Sequence, residues 1–74
     1  MYIKVAKSKT DRVVERLEKD GKSVVPQTCD ETHDYLEVTP AIDDNRKIAG
    51  VTIVDVHDVF RVSAIQQAKR DYGR

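Results

Sequence analysis

The chain has 74 residues, 39% of them apolar and 35% charged, with a formal net charge of zero and one cysteine. That length gives a single domain with a thin core, since so short a chain buries only about 60% of the surface it exposes when unfolded. Cys29 alone excludes an intrachain disulfide, no apolar run approaches the eighteen or so residues that span a bilayer, and a sequence pI near 6.7 is unlike that of most nucleic-acid binders.

The apolar content favours a sheet. Eleven valines and five isoleucines stand against two leucines, one phenylalanine and no tryptophan. β-branched side chains suit a pleated surface and lose rotamer freedom in helices. Thin cores are usually supplemented by a disulfide, a metal or a partner; with the disulfide excluded, a partner is the expected supplement. Lys4, Lys7 and Lys9 follow Met1 where a signal peptide would be apolar, so the expectation is a cytoplasmic protein with no membrane contact.

Residues 1–8 alternate, Ile3 and Val5 against Tyr2, Lys4 and Ala6, which predicts a half-buried strand whose lysines suit an edge. Ser8-Lys9-Thr10-Asp11 predicts a helix start, with Ser8 or Thr10 as N-cap. Val13, Val14 and Leu17 form its apolar stripe, Glu15 and Lys19 an i,i+4 pair, and Gly21 its left-handed end. Residues 22–26 read as a short strand closed by Pro26. An acidic loop over 27–34 follows, and then an alternating strand at 35–39 that Pro40 stops. Asp43-Asp44-Asn45-Arg46 has turn composition, so 35–42 and 47–56 are expected to form a hairpin.

The densest apolar window comes next. Nine of the fifteen residues from Val51 to Ile65 are apolar, which marks the expected centre of the core. Val51 to Val56 carries β-branched residues on both faces and predicts a buried strand, with a turn at His57-Asp58. Ser63 with Gln66 has capping-box form and predicts a helix from about Ser63 to Tyr72, ending in Lys69, Arg70 and Gly73. Residues 59–62 fit a further strand, and the rival is a helix beginning as early as Asp55. The sum is an α+β domain: about four strands in one antiparallel or mixed sheet, two helices on one face, in the order β-α-β-β-β-α.

Chemistry-bearing residues are few. Cys29, His33 and His57, with Asp55 or Asp58, include metal-ligand types, but structural zinc sites show close cysteine pairs that this chain lacks. His33-Asp34 and His57-Asp58 are adjacent pairs, and neighbours on a strand point to opposite sides, which counts against a catalytic dyad. Gly21, Gly50 and Gly73 are isolated, so no glycine-rich phosphate loop exists. The expectation is a non-enzymatic protein without metal or cofactor.

Charge is distributed unevenly. Residues 1–22 hold seven basic against four acidic residues, while residues 27–58 hold eight acids against Arg46 and Lys47. The two-signed layout predicts a protein-interaction module, of the accessory or inhibitory kind that short phage and mobile-element genes encode. Asp30, Glu31, Asp34, Asp43 and Asp44 are the candidate acids for occluding a basic partner surface. The alternative is a nucleic-acid-binding regulator using Lys4, Lys7, Lys9, Arg12 and Arg16, with stacking aromatics limited to Tyr2, Tyr35, Phe60 and Tyr72. Self-association as a homodimer is expected through an edge strand at residues 1–8 or an exposed face over 59–65.

Overall fold

In the computed structural model, which describes residues 1–42, 48 and 50–72, the sheet is built around the first strand. That strand, β1 (Tyr2–Ala6), buries Ile3 and Val5 completely on one face. It is followed by a 3-10 turn at Lys7–Lys9, α1 (Thr10–Lys19), β2 (Ser23–Cys29), β3 (His33–Thr39), β4 (Val51–Val54) and α2 (Val56–Tyr72). The four strands form one antiparallel sheet in the order β2-β3-β1-β4. β1 and β2 therefore run parallel with β3 between them, joined by α1 in a split β-α-β unit. The expected order and layer class hold: an α+β domain with four strands and two helices.

The strands are not placed as the sequence implied. β1 lies inside the sheet, paired with both β3 and β4, and is not an edge. Lys4 remains compatible with that position because a lysine stem packs along a surface while its ammonium reaches water. The expected hairpin between 35–42 and 47–56 does not form, because β1 separates β3 from β4. The hairpin is instead β2–β3, closed by Asp30 to Thr32. β2 runs on through Pro26 to Cys29, with a register shift between Pro26 and Thr28. An edge strand can carry a proline and a bulge without losing a central ladder bond, so most of the expected loop at 27–34 is strand. The turn at 43–46 lies outside the described residues.

α1 packs on the face of the sheet that carries Ile3, Val5, Leu36 and Val38. Val13 and Leu17 meet those four, with Ile42, in the buried core. Residue 9, not Ser8 or Thr10, is the N-cap, without a side-chain cap bond. At the other end Gly21 (φ +82°) allows a Schellman closure: its N–H donates to the Glu18 carbonyl at 3.0 Å, and Lys22 N–H to that of Leu17 at 3.0 Å.

α2 starts seven residues earlier than the capping box implied, at Val56, and absorbs the segment 59–62 expected as strand or turn. The N–H groups of Asp55 and His57 are held by Asp58 Oδ2 and Asp55 Oδ1, at 3.3 and 3.1 Å. This Asp-rich start supplies the first-turn acceptors that a helix N-terminus needs. Nor do both helices share one face. The register sets Tyr35 beside Lys4, on the side opposite Ile3 and Leu36. Tyr35 is buried there with the Asp58 carboxylate of α2 close enough to act on its hydroxyl, and Val59, also buried, is apart from the α1 core. α2 crosses this second face from the end of β4 to the β2–β3 turn, where Lys69 Nζ meets Glu31 Oε1 at 3.3 Å. The window Val51–Ile65 is thus not the centre of the core. β4 is an edge strand with Ile53 57% exposed, and the core is centred on β1 and β3.

Candidate interaction surface

The acids of the β2–β3 turn hold the chain together. Asp30 Oδ1 accepts from the N–H groups of Thr32 and His33, at 2.8 and 2.6 Å, and from Thr32 Oγ1 at 3.2 Å. The Thr32 N–H above all keeps the Asp30 carboxyl below the usual carboxylate range. Its second oxygen accepts from the Tyr35 hydroxyl at 3.4 Å, and burial is the main cause of the raised Tyr35 pKa. Asp34 lies next in β3, and its Oδ2 accepts from Thr10 Oγ1 at 2.7 Å, tying the start of α1 to the sheet. Glu31 is exposed and pairs with Lys69. Asp43 and Asp44 lie outside the described residues. The three described candidate acids therefore sit together, and each already has a partner within the chain.

Cys29 and His33 flank the β2–β3 turn, and His57 lies apart from both. Cys29 ends β2 and is exposed. His33 begins β3, its Nδ1 2.7 Å from Thr32 Oγ1. His57 lies in the first turn of α2, past the far end of β4. Among the described residues no three His, Cys, Asp or Glu side chains cluster as metal ligands would. Asp34 bonds to Thr10, and Asp58 to Asp55 N–H and Arg61, so neither carboxylate orients the histidine beside it.

The basic residues divide between the two faces. Lys4 belongs with Tyr35 and Thr52 on the α2 side of the sheet. Lys9, Arg12 and Arg16 are exposed along α1 and converge on a groove of ≈ 290 Å³ floored by Val13 and Ile48. Lys7 stands in the preceding 3-10 turn. A second groove, ≈ 460 Å³, runs along the β2 edge, lined from the α1 side by Thr10, Asp34 and Leu36 and from α2 by Gln66 and Arg70.

Two of the exposed large apolar residues, Phe60 and Ile65, lie on the outer side of α2. Val56, Val59, Val62, Ser63 and Gln66 are shielded along the side that faces the sheet, and Asp58 is half-buried beside them. Phe60, Ala64 and Ala68 are spaced four apart on the opposite side, with Ile65 at its flank; Phe60 is 65% and Ile65 48% exposed. Helices that pack one side against a sheet ordinarily present polar residues on the other. The sequence pointed to this exposed face at 59–65 but not to its continuation through Ala68 and Asp71. The signal was the start of the helix: only from Val56 onward do the apolar residues separate into two opposed ridges.

Compared with protein-family models, with characterised proteins and with solved structures, the chain matches none. Among the described residues, no helix is long and apolar enough to cross a membrane.

Proposed function

We propose that this chain is a small, non-enzymatic protein-interaction module that acts by covering a surface of its partner through the outer side of α2. One observation carries the reading: α2 exposes two large apolar side chains, Phe60 and Ile65, away from the side that the sheet covers. Exposed apolar patches of this kind mark association surfaces. The engagement of Asp30 and Asp34 inside the chain supports moving the contact from the acidic turn to the helix. The different partners found by both His-Asp neighbours favour a role without catalysis. An accessory or inhibitory action, of the phage or mobile-element kind, belongs to the same proposal, since a covering module acts by occlusion.

The test is a tagged pull-down from nuclease-treated and untreated lysate, comparing the wild type with Phe60→Glu and Ile65→Glu. Both positions are exposed, so melting temperatures should be unchanged. Protein recovery that survives nuclease and is lost in the variants is the expected result; recovery indifferent to both substitutions overturns the reading. A second reading, nucleic-acid binding, draws on the convergence of Lys9, Arg12 and Arg16. It predicts recovery that disappears with nuclease and weakens steeply with salt.

A further inference from the structure

We infer that the outer ridge of α2 pairs with the same ridge of a second copy, antiparallel, across a two-fold axis that passes midway between Ala64 and Ala68. This deepens the proposed interaction module by naming its partner. It rests on the distribution of charge along the ridge as well as on its apolar character.

On the side of α2 that carries Phe60, Ala64 and Ala68, the charged or titratable residues of the first half are His57 and Arg61, and the described one of the second half is Asp71. All of these are exposed. Parallel pairing would set Arg61 against Arg61 and Asp71 against Asp71. Antiparallel pairing sets opposite signs together, and it also opposes the two helix dipoles. In an antiparallel two-fold contact the numbers of facing residues have a constant sum. Ala64 against Ala68 of the second copy brings Arg61 level with Asp71 of the second copy, twice by symmetry. The alanines let the two backbones approach closely, as small side chains do wherever helices cross tightly, while Phe60 and Ile65 close over the flanks. Lys69 is engaged by Glu31, whereas the Arg61–Asp58 contact, 4.0 Å long between side chains 73% and 46% exposed, is a weak one that Arg61 exchanges for Asp71 of the second copy.

Size sets the strength. Seventeen residues make a helix about 25 Å long. One helix pair of that length buries well under the roughly 1,600 Å² of a standard interface. The expected dimer is accordingly weak, assembling in the micromolar range.

Sedimentation equilibrium of the purified chain from low to high micromolar concentration reads this directly. The expected weight-average mass rises from 8.4 kDa towards twice that value. Ala64→Glu, which brings two like charges together near the axis, should abolish the rise while leaving the circular-dichroism melt unchanged. Arg61→Asp and Asp71→Arg should each weaken self-association by roughly three- to tenfold, as exposed ion pairs do. An equimolar mixture of those two variants should recover it, because each supplies the charge the other lost. A chain that stays monomeric at every concentration, or dimerises equally well with Ala64→Glu, overturns the pairing. The same Ala64→Glu protein in the pull-down separates the two readings. A monomer whose heterologous partner is lost on substitution keeps the interaction module and refutes only self-pairing. A monomer whose recovery is indifferent to it refutes both.

Discussion

Asp30 shows how a side chain that looks available for a partner can be committed to its own backbone. With Thr32 and His33 N–H groups and a tyrosine hydroxyl on one carboxylate, reversing its charge removes the turn's acceptors. Asp30→Lys and Asp34→Lys should each lower the melting temperature, by the several degrees that about 1–2 kcal/mol represents in a domain this size, whereas Glu31→Lys should leave it unchanged. A differential scanning melt of the three variants checks this. The pH dependence follows from the same bonds. A carboxyl held below its unfolded pKa adds stability that is complete above the unfolded value and is lost as pH falls through the folded one. Thermal stability should therefore decline below about pH 4, and Asp30→Asn should flatten part of that decline. Gly21 is the other residue with a defined cost. Its φ of +82° is unfavourable for any L side chain, and nothing lies within 4 Å of an added Cβ, so the penalty is in the backbone alone. Gly21→Ala should cost about 1 kcal/mol, read from the denaturation midpoint.

At the scale of elements, α1 was legible in the sequence, while α2 was legible from Ser63 to Tyr72 and its start at Val56 matched only the rival reading. The stripe of Val13 and Leu17, the Glu15–Lys19 pair at 3.7 Å and the glycine closure all stand where spacing put them. α2 carries apolar residues all round, and its two ridges overlap the period of a strand over residues 59–62. A capping-box match at Ser63 then outweighed the plainer signal of Asp55 and Asp58 beside the true start. The two sides of α2 should respond differently to truncation. Val59→Ala empties a buried site and should cost about 1–3 kcal/mol, while Phe60→Ala should be nearly neutral in the monomer. Chemical denaturation at low concentration, where any self-association is absent, makes that comparison.

At the scale of the molecule, the sheet carries a helix on each face and different protection at its two edges. β2 is blunted by Pro26, by its bulge and by the packing of α2, while β4 is short and leaves Ile53 exposed. Charge is likewise divided: Lys9, Arg12 and Arg16 line α1 on one face, and the α2 ridge stands on the other. Substituting those three bases by glutamate should leave melting and protein recovery unchanged. Loss of protein recovery, or a strong salt dependence in the wild type that disappears in the variant, would move the contact from α2 to α1.

Sequence by itself determined the α+β class, the order of elements, the first helix with its glycine closure, and the presence of apolar residues beyond what one core can use. These follow from spacing and from backbone preference, which act within a few residues. Tertiary structure alone decided that β1 is interior and β4 an edge, that β3 pairs with β1, and that the helices lie on opposite faces. It also decided that Asp30 and Asp34 are structural. Each of those outcomes depends on which segments compete for the same neighbour. Lys4 in a strand does not reveal how many strands flank it, and a carboxylate does not reveal in sequence that a threonine hydroxyl 24 residues away will reach it first.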